Sequence, residues 1–204
     1  MATPVEEYFV EAPLFRSFVE TVAGMTAAEA RRERVVEHLR PAFADLLRAD
    51  GWLPEAFGRP SPGSGMGGGI GTYLMYRRPN LSLMALVVPG GAATPVHDHL
   101  AWGLVGLYRG EQDEEVYRRL DDGRTPGVAT LELVERRHLS PGDFYSLLPP
   151  DGDIHRVRTT SEEPSISIHL LGNDIGCIWR HAYEPESNAV RDFRSGYANV
   201  ECKD

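Results

Sequence analysis

Three histidines in this sequence have the spacing of a metal centre. In the segment TPVHDHLAWG, His97 and His99 stand two residues apart. On a strand, alternation sends both imidazoles out of one face, where they can converge on one ion while Asp98 points away. His155 follows in PGDFYSLLPPDGDIHRV, on the approach to another strand. A neutral imidazole suits iron, zinc, copper and nickel, and three on one side of an ion leave positions open for substrate and dioxygen. The plain alternative is that HDH is a surface turn and His155 a loop residue. His38, His138 and His181 have no spacing that would join them to this group.

The elements that would have to position these side chains fall into two parts. Residues 5 to about 56 read as helical, with one stripe in Phe15, Phe18, Val19 and Val22 and a second in Val35, Val36, Leu39, Phe43, Leu46 and Leu47. Charged residues fill the opposite face, and Pro41 is expected to kink or divide the second helix. The glycine-rich PSPGSGMGGGIG is a connection rather than a phosphate loop, because a helical region precedes it and a strand-like stretch follows, the reverse of the order such a loop needs. From Thr72 onward, short apolar or alternating runs are separated by turn signals such as PGG, LDDGRTPG, SPGD and PPDGD, with no helices between them. That pattern indicates an antiparallel sandwich or barrel. The expected organisation is an N-terminal helical cap with its connection over 1–70, then a β-barrel over 71–204 whose tail beyond Pro185 lies across it.

The chain has 204 residues, 21 basic and 30 acidic, for a net charge of −9, and 42% of it is hydrophobic. A chain of this length buries roughly 70% of its unfolded surface, so the core needs neither disulfides nor a structural metal, and a metal found here is functional. A net charge of −9 without basic clusters argues against nucleic acid and anionic membranes. No apolar run reaches a membrane span, and MATPVEEYFVEA is acidic where a secretion signal is basic. The expectation is a cytoplasmic protein with a small-molecule partner, in which Cys177 and Cys202 remain thiols.

The segments Gly91–Gly110, GAATPVHDHLAWGLVGLYRG, and Gly142–His155, with Pro150, Gly152 and His155 in a PxGxxH arrangement, resemble the paired motifs of the cupin superfamily. The resemblance implies a double-stranded β-helix barrel and a metal held by the motif histidines. Many cupins add a glutamate four or five residues after the second histidine, where this chain has Gly103 or Leu104. Glu111 and Glu114 come too late in the chain, so the ligand set is three histidines, and iron(II) is the metal that an all-nitrogen face with vacant positions suits for dioxygen chemistry.

Over about Ser82 to Tyr197, the segments HDHLAWGLVGLYRGEQDEEVYRR, IHRV and EEPSISIHLLGNDIG resemble the thiol dioxygenases, the family of cysteine dioxygenase and 3-mercaptopropionate dioxygenase. The resemblance implies iron(II) on His97, His99 and His155, and conversion of a thiol with O2 to a sulfinate. Gly103 matches the bacterial members, so the cysteine–tyrosine crosslink of mammalian members has no counterpart. The family's Ser-x-His-x-Tyr strand motif is matched by Ser167 and His169, but Leu171 stands where the tyrosine belongs.

A substrate carboxylate calls for an arginine. The bacterial pattern puts it at Arg180, and the closing FRSGYAN also resembles these enzymes. The mammalian place falls at or near Tyr73, whose hydroxyl is the candidate replacement for the lost phenol. Trp102 and Tyr73 are expected to face the cavity, and Leu171 to shape it. Arg77 and Arg78 read as solvated strand-end charges, and Cys177 as a small buried hydrophobe. Two other readings stay open: a three-histidine iron cupin cleaving carbon–carbon bonds, and a non-catalytic cupin that binds a small molecule.

Overall fold

In the computed structural model, which describes residues 6–62 and 65–202, the two apolar stripes become the buried faces of α1 (Pro13–Ala28) and α2 (Arg32–Arg48). Gly63 and Ser64 of the glycine-rich connection lie outside the described residues. Helix α2 runs unbroken through Pro41, so the expected division there is not formed.

Among the described residues, twelve strands build two six-stranded sheets. The first orders β1 (Glu7–Tyr8), β2 (Gly71–Arg78), β3 (Leu81–Val88), β10 (Ser165–Leu171), β5 (Gly103–Arg109) and β8 (Phe144–Leu147). The second orders β12 (Ala189–Phe193), β11 (Arg180–Glu184), β4 (Val96–His97), β9 (Ile154–Thr159), β6 (Gln112–Arg119) and β7 (Leu131–Leu139). The protein is therefore mainly β with two α-helices, but the expected closed barrel is not formed. The edge strands β1 and β8 are two and four residues long, too short to carry a ladder to the facing sheet, so the sheets meet through side chains.

Both faces of the first sheet are buried. Leu83, Ala85, Val87, Leu104, Ile168 and Leu170 point outward into one core with both helices. Their alternates Met84, Val105, Leu107 and Leu171 point inward, toward the second sheet. Gly106 lets α2 approach this closely: a Cβ there would lie 2.4 Å from Leu47 Cδ1 and 2.9 Å from Phe43.

Three expectations are corrected by the packing. Cys177 and Cys202 are joined in a disulfide, because the tail returns from β12 to the turn that carries Cys177. On the way Ala198 N–H donates to the Thr72 carbonyl, and Asn199 brackets the Leu74 backbone. Arg77 is buried, paired with Glu7 and with Asp174 at 3.3 Å. Arg78 donates to Thr26 on α1. Neither arginine is a solvated strand end. No helix among the described residues is long and apolar enough to cross a membrane.

Candidate metal centre

His97 and His155 are cross-strand partners on β4 and β9, so both leave the inner face of the second sheet. His99 lies just past β4, where its own N–H and that of Leu100 each donate to the Asp153 carboxylate at 3.0 Å. The three rings form a nearly equilateral triangle with centroids 5.0, 4.9 and 4.8 Å apart, all fully buried. One nitrogen from each lies within 4.8 Å of the other two, a group able to hold one metal ion.

In each ring Nδ1 already faces an acceptor. His97 Nδ1 lies 2.9 Å from the Pro95 carbonyl oxygen, and His99 Nδ1 lies 3.3 Å from both the carbonyl and the carboxylate of Asp153. His155 Nδ1 meets the Glu114 carboxylate. A proton fixed on Nδ1 leaves Nε2 with its lone pair, which is the form a ligand needs. Burial lowers the pKa of His97 well below the usual histidine value and also lowers that of His99, with the neighbouring imidazoles adding to it. Rings kept neutral in this way fit a divalent transition metal.

Arg180 is brought to the same interior. It shares the inner face of β11 with Ala182, the partner of His97, and is 1% exposed. Its guanidinium donates to the Asp98 carbonyl at 2.7 Å and to Ser195 Oγ at 3.1 Å, and lies 4.6 Å over the Phe193 ring, which in turn faces His97 at 6.1 Å. Burial pushes its pKa down to about 10, so it is still a cation at neutral pH. Its direct partners are neutral, and Nε makes no hydrogen bond.

Across the interior, Ser167, His169 and Leu171 share the inner face of β10, as strand alternation requires. Ser167 Oγ and His169 Nε2 are 2.9 Å apart, the His169 ring lies 6.3 Å from His99, and its buried Nδ1 has no partner. Burial drives the His169 pKa well down. Leu171 packs with Leu74, Met84 and Tyr197 in the interior cluster.

Two expected residues do not reach this interior. Tyr73 pairs with Ala85, whose face turns to the helices; its hydroxyl donates to the Arg59 carbonyl at 2.8 Å and its ring stacks on Phe57. Trp102 has the parity of Leu104, not of Gly103, and lies under Arg32 of α2 at 5.2 Å. Tyr73 therefore cannot replace the missing phenol. Tyr73→Phe should leave turnover of any substrate within about twofold of the parent, far from the hundredfold or more attached to a lost catalytic donor; steady-state kinetics on the purified variant checks this.

The strand alternation did carry a signal for residues that went unassigned. Gln112, Glu114 and Val116 are buried alternates on β6, and Tyr145 and Leu147 on β8. Asp98 turns away from the metal face, as expected, and there accepts from His181 and Tyr183.

No protein family model matches the chain. Among solved structures it is similar in part to a conserved Klebsiella pneumoniae protein with a double-stranded β-helix domain, at 16% identity over 63% of this chain and 95% of that one, TM-score 0.44. It is also similar to a cupin 2 domain-containing protein from Halorhodospira halophila, at 20% identity over 47% of this chain and 55% of that one, TM-score 0.34. An oxalate oxidase matches at 18% identity over 47% of this chain and 43% of its own, TM-score 0.37. The chain thus spans about half the length of the last two. These neighbours are cupins, or double-stranded β-helix proteins.

Proposed function

We propose that the protein is a non-heme iron(II) dioxygenase that converts a small thiol carboxylate, of the cysteine or 3-mercaptopropionate type, to its sulfinate. Both atoms of O2 pass to sulfur, RS⁻ + O2 giving RSO2⁻. The observation that carries this reading is the buried guanidinium of Arg180, hydrogen-bonded to a carbonyl and a hydroxyl but to no carboxylate, in the same interior as three convergent imidazoles. A buried cation whose partners are a carbonyl and a hydroxyl favours an anionic ligand, and a guanidinium fork is shaped for a carboxylate.

Iron(II), when bound by His97, His99 and His155, supplies the electron transfer that dioxygen requires and an acid partner for sulfur. The chain's own residues do the rest. Arg180 Nε–H, with the remaining hydrogens of the fork, holds the substrate carboxylate and so fixes which end of the molecule points at the histidines. Ser167 and His169 hold each other through His169 Nε2, leaving Nδ1 of a neutral ring as a further hydrogen-bonding atom, since burial keeps the imidazole from taking a second proton. Leu171 and Phe193 are apolar walls that exclude water from the reacting atoms.

Oxygen uptake by iron-loaded protein with a panel of cysteine, 3-mercaptopropionate, cysteamine and β-diketones tests the reading. The expected result is uptake with the thiol carboxylates, one O2 per sulfinate formed, and much slower uptake with cysteamine, which lacks the carboxylate. Uptake with diketones alone would assign carbon–carbon cleavage. A metal-loaded protein that consumes no oxygen with any of them would leave a binding cupin.

A further inference from the structure

His155 differs from the other two histidines in what holds it. His97 is anchored by a backbone carbonyl, and the Asp153 that anchors His99 is tied to two backbone N–H groups. His155 depends on Glu114, whose side chain is 0% exposed. One Glu114 oxygen takes His155 Nδ1, and the other accepts from Arg137 Nε at 2.6 Å. Tyr145 completes the group: its hydroxyl lies 3.1 Å from His155 Nδ1, the atom that also meets Glu114, and its ring lies 4.1 Å beneath the Arg137 guanidinium. Arg137 therefore grips both side chains that orient His155. It is partly open to solvent, on the edge strand β7, in a groove shared with Arg136, Arg156 and Arg158.

We propose that Arg137 is a positioning residue for the metal, balancing the buried Glu114 carboxylate and locking it, with Tyr145, in the orientation that aims His155 Nε2 at the ion. The inference rests on the three-histidine metal site but not on the thiol chemistry proposed for it. A buried carboxylate is stable only when paired, and the partners that orient a metal-binding imidazole govern how tightly the ion is held. Without Arg137, Glu114 keeps His155 and is free to swing and turn the ring with it. Arg136, the chain neighbour, serves as control: it pairs with Glu115 on the opposite face of the strand.

Cobalt(II) titration of the metal-free full-length protein is the test, because visible absorption reports both affinity and the arrangement of ligands. Arg137→Met should weaken cobalt binding about 10- to 100-fold and change the absorption bands. Arg137→Lys, which restores the charge but not the fork, should recover part of both, and Arg136→Met should match the parent. A folded Arg137→Met with parental affinity and spectrum would overturn the inference. If that variant does not fold, Glu114→Gln decides: weakened binding with altered bands supports the role, and parental behaviour refutes it. A parent protein that binds no cobalt would instead refute the three-histidine site itself.

Discussion

Alanine in place of His97, His99 or His155 should reduce metal affinity by well over about a hundredfold, beyond the 10- to 100-fold that loss of a supporting partner causes. Each substitution takes one nitrogen from a set of three, and no carboxylate replaces it, because Glu114 stays held by Arg137 and Asp153 by two backbone N–H groups. The fold should survive. The hydrophobic clusters close without an ion, and each supporting carboxylate keeps partners: Glu114 retains Arg137, and Asp153 retains the N–H groups of residues 99 and 100. Metal analysis of the purified variants alongside thermal unfolding checks both halves. Full occupancy in all three would show that the histidines do not hold the ion.

Arg180→Ala should lower kcat/KM for a thiol carboxylate about 30- to 1000-fold, the equivalent of about 2–4 kcal/mol for a charge-assisted contact in a dry site. The loss should be specific. A thiol without a carboxylate should react equally with parent and variant, since it never used the guanidinium. Arg180→Lys should recover only part, because an ammonium cannot form the fork. The substitution strands no acid, as the partners lost are the Asp98 carbonyl and the Ser195 hydroxyl, so the variant should fold and bind metal normally. Equal efficiency of parent and variant with every acidic thiol would remove Arg180 from the site.

The histidine group could be found from the sequence because it rests on the simplest periodicity of a strand. Two residues apart means one face, whatever the register. The same rule placed Ser167, His169 and Leu171 together. Tyr73 and Trp102 went wrong for a related reason. The first sheet is buried on both sides, so β2 and β5 carry apolar side chains on both faces and their inner and outer parity cannot be told apart from the sequence. On β2 the parity also changes at an irregularity between Leu74 and Tyr76. The role of Glu114 was hidden differently. In QDEEVYRR alternation groups Glu114 with Gln112 and Val116, but a face so rich in charge reads as solvent-exposed, and it is the pairing of β6 between β7 and β9 that turns this carboxylate inward. The disulfide depends on where the tail comes to rest, which no local pattern encodes.

Leaving the two sheets unclosed creates four strand edges, and each exposes backbone donors and acceptors that could template pairing with another chain. Three are protected by geometry. Strands β1 and β8 are too short to recruit a partner, and β12 is partly covered by the loop between β6 and β7, where the Gly127 carbonyl accepts from Val190 N–H. The fourth, β7, is nine residues long and has no such cover among the described residues. Its protection is electrostatic: Glu132, Glu135, Arg136 and Arg137 stud the strand, and an approaching strand would have to desolvate them. Resistance to edge-to-edge aggregation and support of His155 thus converge on one strand, so neutralising changes along β7 risk self-association as well as a loosened third histidine.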